Sequence, residues 1–308
     1  MQTRGDTPDN LRTRGQEDRA WLRHRMQPVA LADGSTLRCA RLGRGSPVVC
    51  LPMVAETNHV YVPQIRALAQ RHEFLVYEPR LSATTRVSVR DRATEIELLL
   101  DALDIAAAHV FAWSDTGSAA YDFARRRPDR CRSLCLLGLA DRYTFPLPLH
   151  LIIRLVHRHP SRWLSPSPLL RLLLGHYLSG DRVKARWIRE EARSIPRFAE
   201  LFTHSVLPNI VEHRPVAGEI RVPVLALCGD RDALLTVAQA RRMAELIGHH
   251  CDFQVVAGGE HFLPYTSPEP VTQALAAFYA SLERRERRGP EGPEHQGEGE
   301  IRDDGNPL

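Results

Sequence analysis

One stretch of this 308-residue chain, residues 109–120, constrains the possible folds more than any other. It reads HVFAWSDTGSAA, which is an apolar run, a turn of small and polar residues around Ser114, and the start of a small-residue helix. A continuous apolar run between turn signals is typical of a strand that is covered on both faces. The stretch therefore predicts a strand that turns directly into a helix, with Ser114 at the apex.

Other parts of the chain repeat this alternation of strand and helix. Apolar runs that predict strands occur at 47–51, 74–77, 131–138 and 222–228, and helical periodicity occurs at 61–71, 92–103, 237–247 and 268–282. Before the first of these strands, the turn Asp33-Gly34 separates two short strand patterns and predicts a hairpin. Strands that alternate with helices indicate an α/β protein with a mostly parallel, doubly wound sheet.

The predicted turn at Ser114 has the form of a nucleophile elbow, although Ala112 and Thr116 stand where the motif has glycines. Two later strands end in chemically useful side chains. The strand at 222–228 is followed by Gly229, Asp230 and Asp232, and the strand pattern at 255–257 leads through a glycine pair to His261. A serine becomes a good nucleophile when a histidine takes its proton and an acid orients that histidine.

The order serine, acid, histidine is the order found in α/β-hydrolases. At these residues the chain resembles the α/β-hydrolase fold family, and its Trp-Ser-Asp core is similar to the Gly-Trp-Ser-Asp-Gly-Gly elbow of some esterases in that family. The resemblance extends from about residue 29 to residue 282. It implies Ser114 as nucleophile, His261 as base and Asp232 as the orienting acid, with Asp230 as the alternative acid.

The resemblance also implies two backbone N–H donors for an oxyanion hole, those of Val54 and Asp115. Pro52 and Met53 replace the His-Gly pair that the family usually has before the first donor, and the turn after Glu78 lacks two family glycines. Three further residues are candidates for the substrate pocket: Met53, His59 and Trp113. Asp115 as a carboxylate nucleophile is disfavoured, because that role would leave Ser114 off the apex.

The resemblance and the composition along the chain divide it into four regions. Residues 1–27 are polar and predict a disordered or loosely ordered arm; residues 28–140 and 219–283 predict the α/β-hydrolase core; residues 284–308 are of low complexity and predict a disordered tail. Residues 141–218 break the alternation at the place where the family inserts a helical cap. We expect a lid over Ser114 there, and a plain helical packing layer is the alternative.

Composition excludes several classes of function. The 41 basic residues include one lysine, Lys184, and the arginines are scattered among 37 acids, which argues against a nucleic-acid-binding face. No apolar run reaches the roughly 20 residues of a membrane span, and no signal-peptide pattern is present at the amino terminus. The cysteines lack zinc spacing and predict reduced core residues in a cytoplasmic protein: Cys39, Cys50, Cys131, Cys135, Cys228 and Cys251.

These patterns predict a serine hydrolase without metal or cofactor. It would cleave an ester or thioester through an acyl-enzyme on Ser114, so that both an esterase and a thioesterase fit. The predicted partner is a small acyl substrate, free or bound to a carrier. The altered turns leave an alternative open: a lyase, epimerase or cyclase of a biosynthetic pathway, or a non-catalytic small-molecule binding module on the same scaffold.

Overall fold

The computed structural model describes residues 8–142, 151, 195, 197–232 and 234–288. In these residues one sheet of eight strands has the order β1-β2-β4-β3-β5-β6-β7-β8. The strands are β1 (Gln27–Ala30), β2 (Thr36–Gly43), β3 (Ser46–Leu51), β4 (His72–Tyr77), β5 (Ala108–Trp113), β6 (Cys131–Leu137), β7 (Val224–Gly229) and β8 (Cys251–Val256).

Strands β3 to β8 pair in parallel, and β1 and β2 form the predicted hairpin, which pairs antiparallel at one edge of the sheet. The predicted α/β class and the mostly parallel, doubly wound sheet are therefore confirmed. The chain first winds from β3 to β4, then crosses back to β5 and continues outward to β8. The winding direction thus reverses between β3 and β5, and open α/β sheets bind ligands at such a reversal, outside the carboxyl ends of the strands.

Helices cover both faces of this sheet. They are α1 (Pro8–Arg23), α2 (Val62–Leu68), α3 (Val89–Ala102), α4 (Thr116–Arg126), α5 (Phe198–Leu201), α6 (Leu207–Glu212), α7 (Val237–Ile247), α8 (Leu263–Thr266) and α9 (Pro268–Arg288). A 3₁₀ segment (Ala55–Tyr61) precedes α2, and a π-helical turn (Phe202–Val206) joins α5 to α6.

Alternation along β5 shows how the strand supports both layers. Val110 and Ala112 pack in a core cluster with residues of α3 and α4, whereas Phe111 and Trp113 pack in a second cluster with residues of α2 and α9. All six residues of β5 are buried. A central parallel strand is apolar on both faces for this reason, and its position brings Ser114 to the middle of the carboxyl edge.

Two of the expected boundaries differ from the structure. Residues 1–27 are predicted to form a disordered or loosely ordered arm, whereas Pro8–Arg23 is a helix whose Leu11 and Leu22 are almost fully buried against the core. The final helix was expected to end before residue 284, but it continues to Arg288. Seven of the sixteen residues of α1 are charged, so composition alone did not indicate that this helix packs against the core.

Most of the predicted lid, 141–218, and the tail from residue 289 onward lie outside the described residues. The part of the lid region that is described at its carboxyl end consists of α5, the π-helical turn and α6. No helix in the described ranges has both the length and the apolar character that crossing a membrane would require.

Candidate active site

Ser114 occupies the sharp turn between β5 and α4. Its φ of +60° lies in the left-handed region, which few residues other than glycine adopt. The Ser114 N–H donates to the Leu137 carbonyl at 2.8 Å, and the Gly117 N–H donates to the Ser114 carbonyl at 3.0 Å. The backbone is therefore held in a strained conformation that directs the serine away from both the strand and the helix.

Thr116 stabilises this turn from a position where the elbow motif has glycine. Its hydroxyl donates to the Trp113 carbonyl at 2.8 Å and accepts the Trp113 N–H at 3.1 Å. A glycine could not make these bonds. The hydroxyl of Thr116 thus compensates for the degenerate motif, and nothing in the sequence pattern indicated this role.

The structure brings Ser114, His261 and Asp232 together, although they are far apart in the chain. The Ser114 Oγ lies 2.8 Å from His261 Nε2, and His261 Nδ1 lies 2.9 Å from Asp232 Oδ2. With Asp232 as a carboxylate, Nδ1 carries the proton that Asp232 accepts, and Nε2 is left to accept the serine proton. The side chains of His261 and Asp232 are almost completely buried, with exposures of 0% and 1%.

Asp232, and not Asp230, contacts the histidine. The Oδ1 atom of Asp232 accepts the N–H groups of Leu234 at 2.8 Å and Leu235 at 3.1 Å, which fix the carboxylate. Asp230 instead accepts the Gly258 N–H at 2.7 Å and joins the turn after β7 to the turn after β8. The two acids therefore have different tasks within one pair of loops.

Close backbone approach after β7 and β8 allows these loops to meet. A Cβ atom added to Gly229 would lie 2.0 Å from the Gly259 carbonyl oxygen, so only glycine fits there. Gly138 has a φ of +65°, and a Cβ atom on it would lie 3.5 Å from the His261 ring. These contacts depend on the packing of three strand ends, and sequence reasoning did not assign them.

Trp113, a predicted pocket residue, contacts the histidine instead. Its indole Nε1 donates to the His261 carbonyl at 2.6 Å, and its ring packs on Phe262 with centroids 4.5 Å apart. The side chain is 2% exposed. Trp113 thus holds the backbone of the residue that stands opposite Ser114.

The two predicted oxyanion donors lie in different local environments. Asp115 is the N-cap of α4, so its N–H belongs to the group of donors without an intrahelical partner at a helix start. Val54 precedes the 3₁₀ segment, and its N–H donates to Thr57 Oγ1 at 3.3 Å. That bond is long, because 2.9–3.0 Å is usual for N–H donors.

The side chain of Asp115 is buried beside Ser114. Its Oδ2 accepts from Asn209 Nδ2 at 2.9 Å, and Ser118 Oγ donates to the Asn209 carbonyl at 2.9 Å. Burial raises the pKa of Asp115 to about 6, while the Asn209 hydrogen bond and the charge of Arg92 act in the opposite direction. Asn209 therefore joins α6, at the end of the expected lid region, to the elbow.

An apolar cluster adjoins the Val54 loop. Met53 is partly buried against it, and its buried members are Val54, Ile195, Phe198, Phe202, Val206 and Leu207. His59, in contrast, is buried between Tyr265, at 5.0 Å between ring centroids, and Gly15 of α1. Helix α1 thus covers His59, whose place in a substrate pocket stays a prediction.

The described part of the chain contains no group of three or more His, Cys, Asp or Glu side chains that could hold a metal ion.

No protein-family profile matches the chain. A Caulobacter vibrioides protein provisionally named carbamate hydrolase RutD is 27% identical over 235 residues, which cover 71% of this chain and 84% of the relative. The pimeloyl-[acyl-carrier protein] methyl ester esterase of Neisseria meningitidis is 29% identical over 208 residues, which cover 59% of this chain and 77% of the relative.

Among solved structures, a thermophilic esterase from Thermogutta terrifontis superposes with a TM-score of 0.64. It is 19% identical in sequence, and the match covers 83% of this chain and 98% of the esterase. A likeness at this identity concerns the fold.

Proposed function

The chain has the α/β-hydrolase fold, and from this premise we propose that it is a cofactor-independent serine hydrolase that cleaves an ester or thioester. The observation that carries the proposal is the continuous pair of hydrogen bonds from Ser114 Oγ to His261 Nε2, at 2.8 Å, and from His261 Nδ1 to Asp232 Oδ2, at 2.9 Å. Both bonds have the lengths of a working proton relay. The hydrolase and esterase names of the relatives support the same class.

In the proposed reaction, Ser114 Oγ attacks the acyl carbon while its proton passes to His261 Nε2. Asp232 stabilises the imidazolium, and the N–H groups of Asp115 and Val54 bind the oxygen that becomes negative. When the tetrahedral intermediate collapses, the alcohol or thiol leaves with the proton from His261. Water then repeats the sequence on the acyl-enzyme and releases the acid together with free Ser114.

The environment of the Val54 loop supports an apolar acyl group as substrate. Met53 and the apolar cluster around Phe198 and Phe202 adjoin the loop that carries the predicted oxyanion donor. An acyl chain that packs there would lose its contact with water, which favours binding by roughly 25 cal/mol per Å² of apolar surface buried. A carrier-bound acyl group is included in the proposal, because one relative is named for an ester on an acyl-carrier protein.

One observation favours the alternative of a binding module or a non-hydrolytic enzyme. The Val54 N–H already has an acceptor, Thr57 Oγ1, so this donor must exchange partners before it can bind an oxyanion. The exchange is feasible because the bond is 3.3 Å long.

The proposal is tested with p-nitrophenyl esters of increasing chain length, acyl thioesters and a carbamate. We expect Ser114→Ala and Asp232→Asn each to lower kcat by about 10³-fold or more, since the triad acts as a unit. Asp230→Asn is the matched control, because Asp230 lies two residues away and binds the Gly258 N–H instead of His261; we expect its kcat within about tenfold of wild type.

A fluorophosphonate probe should label Ser114 in the wild-type protein and leave Ser114→Ala unlabelled. Equal ester turnover by wild type and Ser114→Ala would refute the serine mechanism. A folded protein that neither turns over an acyl substrate nor reacts with the probe would support the binding module.

A further inference from the structure

Arg92 of α3 is a buried charged residue that has no role in the proposed hydrolase mechanism. It is 2% exposed, and one Nη atom of its guanidinium donates to the Pro52 carbonyl. Its Nε and other Nη have no hydrogen-bond partner among the residues that the structure describes. A buried charge with unpaired donors lowers the stability of the folded state. The burial of Arg92 is therefore better explained by a role other than stabilising the fold.

The contact with Pro52 acts on the loop of the first oxyanion donor. Pro52 directly follows β3 and lies two residues before Val54. The peptide bonds in the described residues are all trans, so the carbonyl of Pro52 and the N–H of Met53 point in opposite directions. By binding this carbonyl, Arg92 fixes the orientation of the peptide plane between Pro52 and Met53, which lies directly before Val54.

The charge of Arg92 also acts on the residue that carries the second donor. Asp115 is 1% exposed, and one of its carboxylate oxygens, Oδ1, has no partner in the described part of the chain. Burial raises the pKa of this carboxyl, and the positive charge of Arg92 favours its ionised form. The direct contact of the guanidinium is with the loop of the first donor, through the Pro52 carbonyl.

We propose that Arg92 is a positioning residue that holds the Val54 loop in the geometry required to bind the oxyanion. This inference rests on the proposed hydrolase function. Arg92 would act through the Pro52 carbonyl, without touching the substrate. Preorganised donors matter most where negative charge develops, so loss of Arg92 should weaken binding of the transition state more than binding of the substrate.

A purely structural role predicts a different result. Replacement of a buried charged group by an apolar side chain of similar volume is often neutral or stabilising. Arg92→Met should then fold and retain its turnover. If Arg92 positions the oxyanion hole, the folded Met variant is slow.

The experiment compares Arg92→Met, Arg92→Gln and Arg92→Lys with Arg90→Met, a matched control at an exposed position of the same helix. For each folded variant we would measure kcat and KM on the best ester, and the inhibition constant of a trifluoromethyl ketone. Ser114 adds reversibly to the carbonyl carbon of the ketone, and the adduct carries an oxyanion. The inhibition constant therefore measures how well the oxyanion hole binds that charge.

We expect Arg92→Met and Arg92→Gln to lower kcat by about 10- to 100-fold with KM changed by less than about threefold, because removal of one oxyanion donor costs about 10²- to 10³-fold and a displaced donor should cost less. Arg92→Lys, which retains the charge and a donor, should recover part of this loss. The ketone should lose affinity in proportion to kcat/KM across the series. Arg90→Met should match wild type in all three quantities.

Two results would overturn the inference. One is a folded Arg92→Met with wild-type kcat and wild-type ketone affinity. The other is failure of all three variants to fold, which would assign Arg92 to the stability of the core. Failure of the hydrolase proposal is distinguishable, because it would be seen in the wild-type protein and Ser114→Ala before any substitution at Arg92.

Discussion

Ser114 carries a cost in backbone strain that its neighbours offset. A non-glycine residue in a sparsely populated backbone region costs on the order of 1–3 kcal/mol. Three hydrogen bonds stabilise the turn: one from the Ser114 N–H to the Leu137 carbonyl, and two between the Thr116 hydroxyl and the backbone of Trp113. Each contributes about 1 kcal/mol. The turn can therefore persist without the two glycines of the usual motif.

At the same scale, Trp113 is expected to control the position of His261. Trp113→Phe keeps a ring against Phe262 but leaves the His261 carbonyl without its 2.6 Å donor. We expect kcat to fall by about tenfold with KM nearly unchanged, and the free energy of unfolding to fall by about 1–2 kcal/mol. Steady-state kinetics and urea denaturation test this, with Trp21→Phe on α1 as control. A variant as active and as stable as wild type would show that the bond has no role.

The packing of helix α1 against the rest of the protein could not be predicted from its composition. Asp18 on this helix is 1% exposed, and it accepts the Tyr265 hydroxyl at 3.1 Å and pairs with Arg66 at 2.7 Å. Arg14 donates to the Tyr265 carbonyl at 2.9 Å. Because Tyr265 belongs to α8, which begins two residues after His261, α1 supports the loop that carries the histidine.

Removal of the contact between α1 and α8 should lower the stability of the protein measurably. Asp18→Ala removes the bond that the Tyr265 hydroxyl donates to Asp18 and the ion pair with Arg66, so the free energy of unfolding should fall by about 1–3 kcal/mol. Arg12→Ala on the same helix removes an exposed pair with Asp9 and should change stability by less than about 0.5 kcal/mol. Urea denaturation measures both. Equal effects of the two substitutions would contradict a specific contact of α1 with α8.

For the whole molecule, buried titratable groups predict sensitivity to acid. Burial lowers the pKa of His59 to about 3, of His109 to about 3 and of His213 to about 4. The unfolded value is about 6.5, so the stability that these neutral histidines contribute is present above pH 6.5 and is lost as the pH falls. Asp115 acts in the opposite direction, because its raised pKa of about 6 adds stability as the pH falls below 6.

Near pH 5 these four groups should take up about two protons in total on unfolding, about three by the histidines less about one released by Asp115. The contribution of these four groups to the free energy of unfolding should therefore fall by about 3 kcal/mol per pH unit in that range. Urea denaturation at pH 7, 6 and 5 measures the slope. His59→Gln should reduce the slope by the equivalent of about one proton. A slope that does not respond to His59→Gln would contradict this assignment.

The sequence alone determined the architecture, because strand and helix periodicity are local properties and a parallel sheet brings all its carboxyl ends to one edge. For that reason Ser114, Asp232 and His261 could be proposed together, and the α/β class is confirmed. The same local reasoning missed α1, where the buried Leu11, Asp18 and Leu22 are separated by arginines and acquire meaning only against the surface that receives them.

Only the tertiary structure decided which acid faces the histidine, where His59 lies and what Arg92 holds. Asp230 and Asp232 have the same chemistry and nearly the same sequence position, and the close approach of Gly229 to Gly259 separates their tasks. Arg92 is one arginine among many in the sequence. Its burial beneath Pro52 depends on the packing of α3 against the end of β3, and long-range packing of this kind leaves no periodic signal in the chain.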